Sequence, residues 1–239
     1  MLKIKNLCYW AVDESGTKQI LKDISFEVKD NETFVITGHN GSGKSTLLKV
    51  IMGILPATSG QIIFDGQDIT NMTLNERANL GLAFAFQKPV TFKGMTVKKI
   101  LEIASSKHDI NYFCSLLSGL GLCAREYLNR ELSDKLSGGE QKRIEIATVL
   151  ARDAKINLFD EPEAGIDIWS FDGLVDIFNK QKATSIIVSH QEKLMQNADR
   201  IMVLTNGEIE QIGTAKEVLG QIKTNGVCAK LRGQNGQNC

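Results

Sequence analysis

Short apolar runs dominate the first sixty residues and predict β-strands. The stretches LKIKNL, QILKDISFEV and TFVITG are apolar or alternating, and Gly, Asp and Asn residues separate them. The later stretch GQIIFDG has the same character. Such runs between turn residues are typical of strands. A helix is predicted between them, over NGSGKSTLLKVIMGIL, where Gly-rich punctuation gives way to a longer apolar pattern.

After these strands the pattern of apolar residues becomes helical, and in the last third of the chain strands alternate with helices. Thr73 and Glu76 have the spacing of a capping box, which predicts a short helix over TLNERANL. From Thr96 to about Ala151 the pattern favours helices, with few β-branched runs. The runs INLF, SIIVS and RIMVL are almost entirely apolar and alternate with helical segments. This alternation predicts a parallel sheet that is buried on both faces.

These elements predict one α/β domain with a helical insertion. We assign residues 1–87 and 151–220 to the core and residues 88–150 to the insertion. Residues 221–239 are rich in Gly, Asn and Gln, and we expect a flexible tail there. A chain of 239 residues is long enough to bury the core of such a domain.

Composition removes several classes of function. Lys and Arg together number 28, as do Asp and Glu, so a net charge of zero gives no bulk attraction to nucleic acid. No apolar run reaches the roughly 18 residues of a membrane helix, and no signal-peptide core is present, which predicts a cytoplasmic protein. The five cysteines lack CxxC spacing, so neither a disulfide framework nor a zinc site is expected. Cys228 and Cys239 also lack the spacing of a four-cysteine iron–sulfur site.

The stretch GHNGSGKS matches the phosphate-loop pattern G-x-x-x-x-G-K-[ST], with an apolar strand before it and a helix after it. Its glycines let several backbone N–H groups point at one anion, and the helix N-terminus adds a positive dipole end. Lys44 is expected to reach the β- and γ-phosphates, and the Ser45 hydroxyl to bind Mg²⁺. The predicted nucleotide-binding residues of this loop are Gly38, His39, Asn40, Gly41, Ser42, Gly43, Lys44, Ser45 and Thr46.

Five carboxylates fall in LFDEPEAGIDIWSFD, a stretch that by itself would be taken for a solvated acidic loop. Asp160 and Glu161, however, end an apolar strand, and the carboxyl ends of such strands face the nucleotide crevice. We therefore predict that Asp160 binds Mg²⁺ and that Glu161 orients or deprotonates the attacking water. Glu163 and Asp172 are expected to be surface acids.

Five stretches taken together resemble the ATP-binding-cassette (ABC) ATPases. They are GHNGSGKS, AFQ, LSGGE, INLFDE and VSH, in that order, and the resemblance runs from Leu2 to about Leu219. It implies an ATPase that uses ATP and Mg²⁺. It also implies an α/β ABC fold, with a P-loop core containing a mixed or parallel sheet, an N-terminal antiparallel β subdomain and an inserted α-helical subdomain.

The same resemblance implies a head-to-tail dimer with a second copy of the chain. ATP would lie between the phosphate loop of one copy and LSGGE of the other, so that Ser137 and Gly139 reach the γ-phosphate from the second copy. Asp167 matches an acid that crosses the dimer interface. Gln87 matches a glutamine that contacts Mg²⁺ and the water, and His190 matches a histidine that reaches the γ-phosphate.

The adenine-stacking aromatic of many cassettes has no direct counterpart here. Its commonest position corresponds to Ala11, so the adjacent Trp10 is our candidate, with Tyr9 as the other. An indole face suits stacking on adenine. A role for Trp10 in the core or at a sheet edge stays open.

Two segments, AFQKPVTFKGMTVKKIL and DEPEAGIDIWSFD, resemble the SufC-type ATPases of iron–sulfur cluster assembly. This implies a soluble SufB/SufD-like scaffold as partner, for which residues 88–99 are the candidate contact surface. Pro89, Val90 and Phe92 could instead pack the insertion onto the core. The alternative function is the nucleotide-binding subunit of an ABC membrane transporter with a membrane-spanning partner. A DNA-repair cassette is disfavoured, because no sustained heptads precede LSGGE.

Overall fold

The computed structural model describes residues 1–13, 16–90, 92, 94–107, 109–133, 135–181 and 183–222. Most of the predicted flexible tail, including Cys228 and Cys239, lies outside the described residues. No helix among the described residues is long and apolar enough to cross a bilayer.

An antiparallel sheet forms from the N-terminal part of the chain, as the alternating runs predict. Its strands are β1 (Leu2–Asp13), β2 (Gly16–Val28), β4 (Ser59–Phe64) and β5 (Gln67–Asp68). They lie in the order β2-β1-β4-β5. One face of β2 is buried, since its side chains alternate between buried and exposed towards Val28.

A second, larger sheet contains the apolar runs. Its strands are β3 (Thr33–Thr37), β6 (Leu82–Ala85), β7 (Ile156–Asp160), β8 (Thr184–Val188), β9 (Arg200–Thr205) and β10 (Glu208–Thr214). The order is β10-β9-β3-β8-β7-β6. All neighbours pair in parallel except β9 and β10, which form an antiparallel hairpin at one edge. The predicted parallel sheet is therefore confirmed, with this hairpin as an addition.

The helices follow the predicted alternation. They are α1 (Lys44–Met52), α2 (Leu74–Leu80), α3 (Val97–Ala104), α4 (Ile110–Gly119), α5 (Ala124–Tyr127), α6 (Gly138–Ala151), α7 (Ile168–Lys180) and α8 (Glu192–Gln196), and residues 215–222 are also helical. The predicted capping box is present, because Thr73 accepts a hydrogen bond from the N–H of Glu76 while the Glu76 carboxylate accepts from Thr73. Helices α3 to α6 occupy the stretch that we assign to the insertion, and the division into subdomains stays a prediction.

The core lies on both faces of the parallel sheet. Along β3, Val35 packs into one hydrophobic cluster, while Phe34 and Ile36 pack into another. Side chains of a strand alternate between faces, so these two clusters lie on opposite sides of the sheet. The carboxyl ends of β3, β6, β7 and β8 point to the same edge, where open α/β sheets bind ligands.

Candidate active site

The phosphate loop, residues 38–45, connects β3 to α1 in a conformation that needs glycine. Gly38 has a φ of 137°, and a Cβ at that position would lie 2.0 Å from the carbonyl oxygen of Leu204. Gly43 precedes α1 with a φ of 102° and cannot cap the helix with a side chain. The first N–H groups of α1 are thus left for an anion.

Lys44 is buried at the base of this loop. Its Nζ donates to the carbonyl oxygens of Gly38 at 2.7 Å and His39 at 2.8 Å. Burial lowers the pKa of Lys44, while the charges of Glu161 and Asp160 oppose that shift. These two contacts hold the ammonium group within the loop, and through them Gly38 and His39 contribute by their backbone carbonyls.

A cleft of about 550 Å³ opens beside the phosphate loop. Its lining residues are Lys18, Ile20, Asn40, Gly41, Gly43, Lys44, Ser45, Thr46, Gln87 and Glu161. The structure therefore brings most of the predicted loop residues together with two predicted hydrolytic residues. Ser42 is buried, with no partner for its hydroxyl among the described atoms.

Asp160 and Ser45 meet at the end of β7. The Ser45 hydroxyl donates to Oδ1 of Asp160 at 2.8 Å. The other oxygen, Oδ2, is buried and has no hydrogen-bond partner among the described residues. Burial raises the pKa of Asp160, and the Ser45 hydrogen bond opposes this shift. A buried carboxylate oxygen without a donor is an expected ligand for a hard cation.

Gln87 and Glu161 are in direct contact across the cleft. The Gln87 amide donates to Oε2 of Glu161 at 2.7 Å. Glu161 has a φ of 47°, an unusual backbone conformation for a residue with a side chain, and its N–H donates to the carbonyl of Val188 at 3.0 Å. The strained backbone and these two bonds fix the direction of the Glu161 carboxylate.

The loop after β8 places His190 in the electrostatic field of this cleft. Burial lowers the pKa of His190, the charge of Lys44 lowers it further, and Glu161 opposes the shift. The neutral imidazole is therefore favoured near pH 7. A neutral ring nitrogen can accept or donate a hydrogen bond at a phosphate oxygen.

Glu163 is not a surface acid, so that prediction is wrong. The Ser189 hydroxyl donates to its Oε1 at 2.6 Å, and its Oε2 is buried without a partner among the described atoms. Burial raises the pKa of Glu163. The loop after β7 folds back onto the loop after β8, which the sequence pattern gave no means of predicting. Asp172, in contrast, is exposed as predicted and pairs with Lys193.

The stretch LSGGE, residues 136–140, lies outside the cleft of its own chain. Ser137 caps α6 by accepting from the N–H of Glu140, and the Glu140 carboxylate accepts from Ser137 in return. Gly139 approaches the loop after β7 closely, because a Cβ there would lie 2.5 Å from the carbonyl oxygen of Gly165. Asp167 caps α7 through the N–H and hydroxyl of Ser170, both at 2.9 Å.

Trp10 is 43% exposed on β1, and its backbone N–H donates to the Thr58 hydroxyl at 3.0 Å. The antiparallel sheet contributes Lys18 and Ile20 of β2 to the lining of the cleft, and not Trp10 or Tyr9 of β1. Sequence reasoning missed these two residues, which carry no motif. The adenine-stacking role of Trp10 stays a prediction.

Comparison with known proteins identifies the family. A family model described as ABC transporter matches residues 21–164. The chain belongs to this family. An uncharacterised ABC transporter ATP-binding protein of Methanocaldococcus jannaschii is 38% identical over 235 residues, which cover 91% of this chain and 90% of that protein. An energy-coupling factor transporter ATP-binding protein of Caldanaerobacter subterraneus is 34% identical over 239 residues, covering 91% and 80%.

The fold of this ABC protein also matches solved cassettes. A dimeric ATP-binding cassette in a post-hydrolysis state, bound to ADP and phosphate, has a TM-score of 0.81 and 24% identity, covering 90% of this chain and 99% of that one. The predicted ABC fold is thus confirmed. As a member of the family the chain is an ATPase, and it uses ATP and Mg²⁺.

The ABC site described above fits Mg²⁺. The free Oδ2 of Asp160 and the Ser45 hydroxyl supply oxygen ligands side by side. The described residues include no group of three or more His, Cys, Asp or Glu arranged for a metal. Mg²⁺ is usually held by one or two protein oxygens, water and substrate phosphates, and Ser45 and Asp160 supply two such oxygens. Bound there, the ion would neutralise charge on the β- and γ-phosphates.

Proposed function

We propose that this chain is the ATP-hydrolysing subunit of a membrane transporter and that it acts as a dimer with a second copy of itself. The observation that supports this most is the division of the site. The cleft holds the phosphate loop, Gln87 and Glu161, whereas Ser137 and Gly139 lie outside it. A site that is divided in this way within one chain is completed by another copy. The names of the relatives described above support transport as the process.

Within one chain, the phosphate loop, Gln87, Glu161 and His190 each have a role in hydrolysis. Lys44 and the loop N–H groups bind the β- and γ-phosphates, and Asn40, Gly41, Gly43 and Thr46 line the same cavity. Glu161 accepts the proton of the attacking water. Gln87 helps to orient that water, because its side chain is hydrogen-bonded to the Glu161 carboxylate. The imidazole of His190 hydrogen-bonds a γ-phosphate oxygen.

The second copy supplies the remaining contacts. Ser137 caps α6 and Gly139 lies in its first turn, so together they bring a helix N-terminus that suits the γ-phosphate of the partner's nucleotide. Asp167 lies on the loop after β7, and Gly165 of that loop contacts Gly139. This contact couples the interface residue Asp167 to the stretch LSGGE. The dimeric cassette with ADP and phosphate offers a precedent for this arrangement.

The partner is proposed to dock in an apolar groove beside Gln87. Phe84, Phe86, Val90 and Phe92 line this groove, and Val90 and Phe92 are 48% and 47% exposed. Exposed apolar side chains that are grouped in this way mark an interaction site. We assign the groove to a cytoplasmic segment of a membrane-spanning transporter subunit. The ABC protein itself would then lie on the cytoplasmic side, without contact to nucleic acid.

A second candidate function rests on the stretch DEPEAGID. Transport cassettes more often have DEPTSALD there, whereas this stretch resembles SufC-type ATPases. Within this stretch Glu163, where the transport pattern has Thr, is bonded to Ser189 beside the cleft rather than left in solvent. In this alternative the groove would hold a soluble SufB/SufD-like scaffold of iron–sulfur cluster assembly, and ATP would drive dimer closure in the same way.

The test is affinity purification of the tagged chain from native cells, performed with and without detergent. We expect a stoichiometric partner that stays in the membrane pellet until detergent is added. A soluble partner recovered without detergent would overturn the transporter assignment and favour the scaffold. Phe92→Asp should abolish recovery of the partner without changing ATP binding. Ile103→Asp is the matched control, because Ile103 is an exposed apolar residue of α3 that does not line the groove.

A further inference from the structure

A buried ion pair lies on the first turns of α6. Lys142 is 0% exposed and Glu145 is 12% exposed, and the Lys142 Nζ lies 3.3 Å from Oε2 of Glu145. Removing two opposite charges from water is costly unless further hydrogen bonds satisfy them. The groups that satisfy this pair therefore indicate its role.

Both members of the pair bind the backbone of Phe86. Oε1 of Glu145 accepts from the Phe86 N–H at 2.9 Å, and the Lys142 Nζ donates to the Phe86 carbonyl. The same Nζ also lies 3.5 Å from the carbonyl oxygen of Asp160. One ion pair thus holds the end of β6 and reaches the end of β7.

These backbone contacts fall directly before two residues of the active site. Phe86 precedes Gln87, and Asp160 precedes Glu161, while the side chains of Gln87 and Glu161 are hydrogen-bonded to each other at 2.7 Å. A shift of about 1 Å in such groups is enough to lower a catalytic rate severely. The pair is placed where it controls that distance.

We propose that Lys142 and Glu145 are positioning residues for ATP hydrolysis, which fix the Gln87–Glu161 contact by holding the Phe86 backbone. The inference rests on the proposed roles of Gln87 and Glu161. Glu145 also lines the apolar groove. A partner bound in the groove would therefore contact the side chain that holds the Phe86 backbone. The alternative is that the pair merely stabilises the packing of α6 on the sheet.

The test separates positioning from stability. Removing one charge of a buried pair destabilises strongly, whereas replacing both with apolar residues of similar size is often neutral. We therefore expect Lys142→Met/Glu145→Leu to fold, with only a modest fall in the urea midpoint from the two lost Phe86 backbone hydrogen bonds. Its kcat for ATP should fall by about 10- to 100-fold, with little change in the Kd for ATP, because the Phe86 backbone loses both partners. The exposed pair Lys22–Glu208, at 3.1 Å, provides the control Lys22→Met/Glu208→Leu.

The outcomes are distinct. Wild-type kcat in the Lys142→Met/Glu145→Leu variant, with Gln87→Ala impaired, would overturn the positioning role. Wild-type kcat in Gln87→Ala would instead overturn the proposed role of Gln87, on which the inference rests. If the double variant does not fold, Glu145→Gln and Glu145→Leu are compared. The amide oxygen of Gln can still accept from the Phe86 N–H, so we expect higher kcat than with Leu; equal kcat values would contradict the proposal.

Discussion

The Ser189 hydroxyl donates a hydrogen bond to Oε1 of Glu163 at 2.6 Å, which ties the loop after β7 to the loop after β8. Ser189 directly precedes His190, and the backbone of His190 opposes the burial that raises the pKa of Glu163. In the same short segment the N–H of Gln191 donates to the Ser189 hydroxyl at 3.0 Å. The position of the histidine therefore depends on a carboxylate that lies outside the cleft.

Replacing Glu163 with Ala should lower kcat for ATP hydrolysis by about tenfold and leave the KM for ATP nearly unchanged. The reason is that His190 loses the carboxylate that orients its loop, while the phosphate loop is not touched. Steady-state ATPase assays measure both constants. Glu163→Gln should retain most of the activity, because its amide oxygen still accepts from Ser189. Asp172→Ala, a change in the exposed acid of the same stretch, serves as control, and equal loss in both Ala variants would contradict the assignment.

The same carboxyl predicts a pH dependence of stability. Burial raises the pKa of Glu163 in the folded state above its ordinary value of 4.5. At pH values between the ordinary pKa and the raised pKa, the folded state therefore binds more protons than the unfolded state. The free energy of unfolding therefore falls as pH rises through this window. Glu163→Gln cannot ionise, so its stability relative to the wild type should increase with pH. Urea unfolding of both proteins at pH values from about 4 to 8 measures this difference. Parallel stability curves would show that Glu163 does not titrate in this way.

Glu161→Gln should bind ATP normally and hydrolyse it about 10²- to 10⁴-fold more slowly, the usual contribution of a general base. The amide keeps the shape of the side chain and its contact with Gln87, but it cannot accept a proton from water. Nucleotide binding and single-turnover hydrolysis separate the two effects. Asp172→Asn is the matched control, since it makes the same acid-to-amide change at an exposed position. Wild-type turnover in Glu161→Gln would rule out the proposed base.

The sequence predicts the parts of this fold that depend on local pattern. Strands β7, β8 and β9 are nearly continuous apolar runs because both of their faces are buried, and the phosphate loop has a motif because its backbone requires glycines. Local pattern fails where a side chain is buried by distant elements. Glu163 and Lys142 lie in polar stretches that are typical of exposed surface. Lys142 is buried and Glu163 is half-buried because segments at the ends of neighbouring strands contact them.

Arg77 is a further example, with consequences for stability. It is 1% exposed although it lies on the short, polar helix α2. Its guanidinium donates to the carbonyls of Val50 at 2.8 Å and Ile51 at 2.7 Å, in the last turn of α1, and to Thr70 at 2.7 Å. The Ile51 carbonyl belongs to the last turn of the helix that follows the phosphate loop, where carbonyls have no partner within the helix, whereas Val50 also accepts from the Gly53 N–H at 3.1 Å.

Arg77→Ala should lower the free energy of unfolding by about 3–5 kcal/mol, since several buried carbonyls lose their donor at once. Arg77→Lys should recover only part of this, because an ammonium group cannot reproduce the planar fork of donors. Chemical denaturation at fixed pH measures both changes. The control is Arg125→Ala at an exposed position, which should stay within about 0.5 kcal/mol of the wild type. A similar small change for Arg77→Ala would mean that water replaces the guanidinium without cost.

Mixed dimers test whether each ATP site is shared between two copies. Lys44→Ala should remove phosphate binding, and Ser137→Arg should block closure on the nucleotide of the partner, so each variant alone should be inactive. In a mixed dimer, the Ser137→Arg copy contributes an intact phosphate loop and the Lys44→Ala copy contributes an intact LSGGE, which restores one complete site. If the sites act independently, random mixing should recover about a quarter of the wild-type ATPase activity. Native mass spectrometry confirms that mixed dimers have formed. If mixed dimers form but hydrolyse no ATP, the shared site is contradicted. Each substitution would then inactivate the site of its own chain, and the other copy could not restore it.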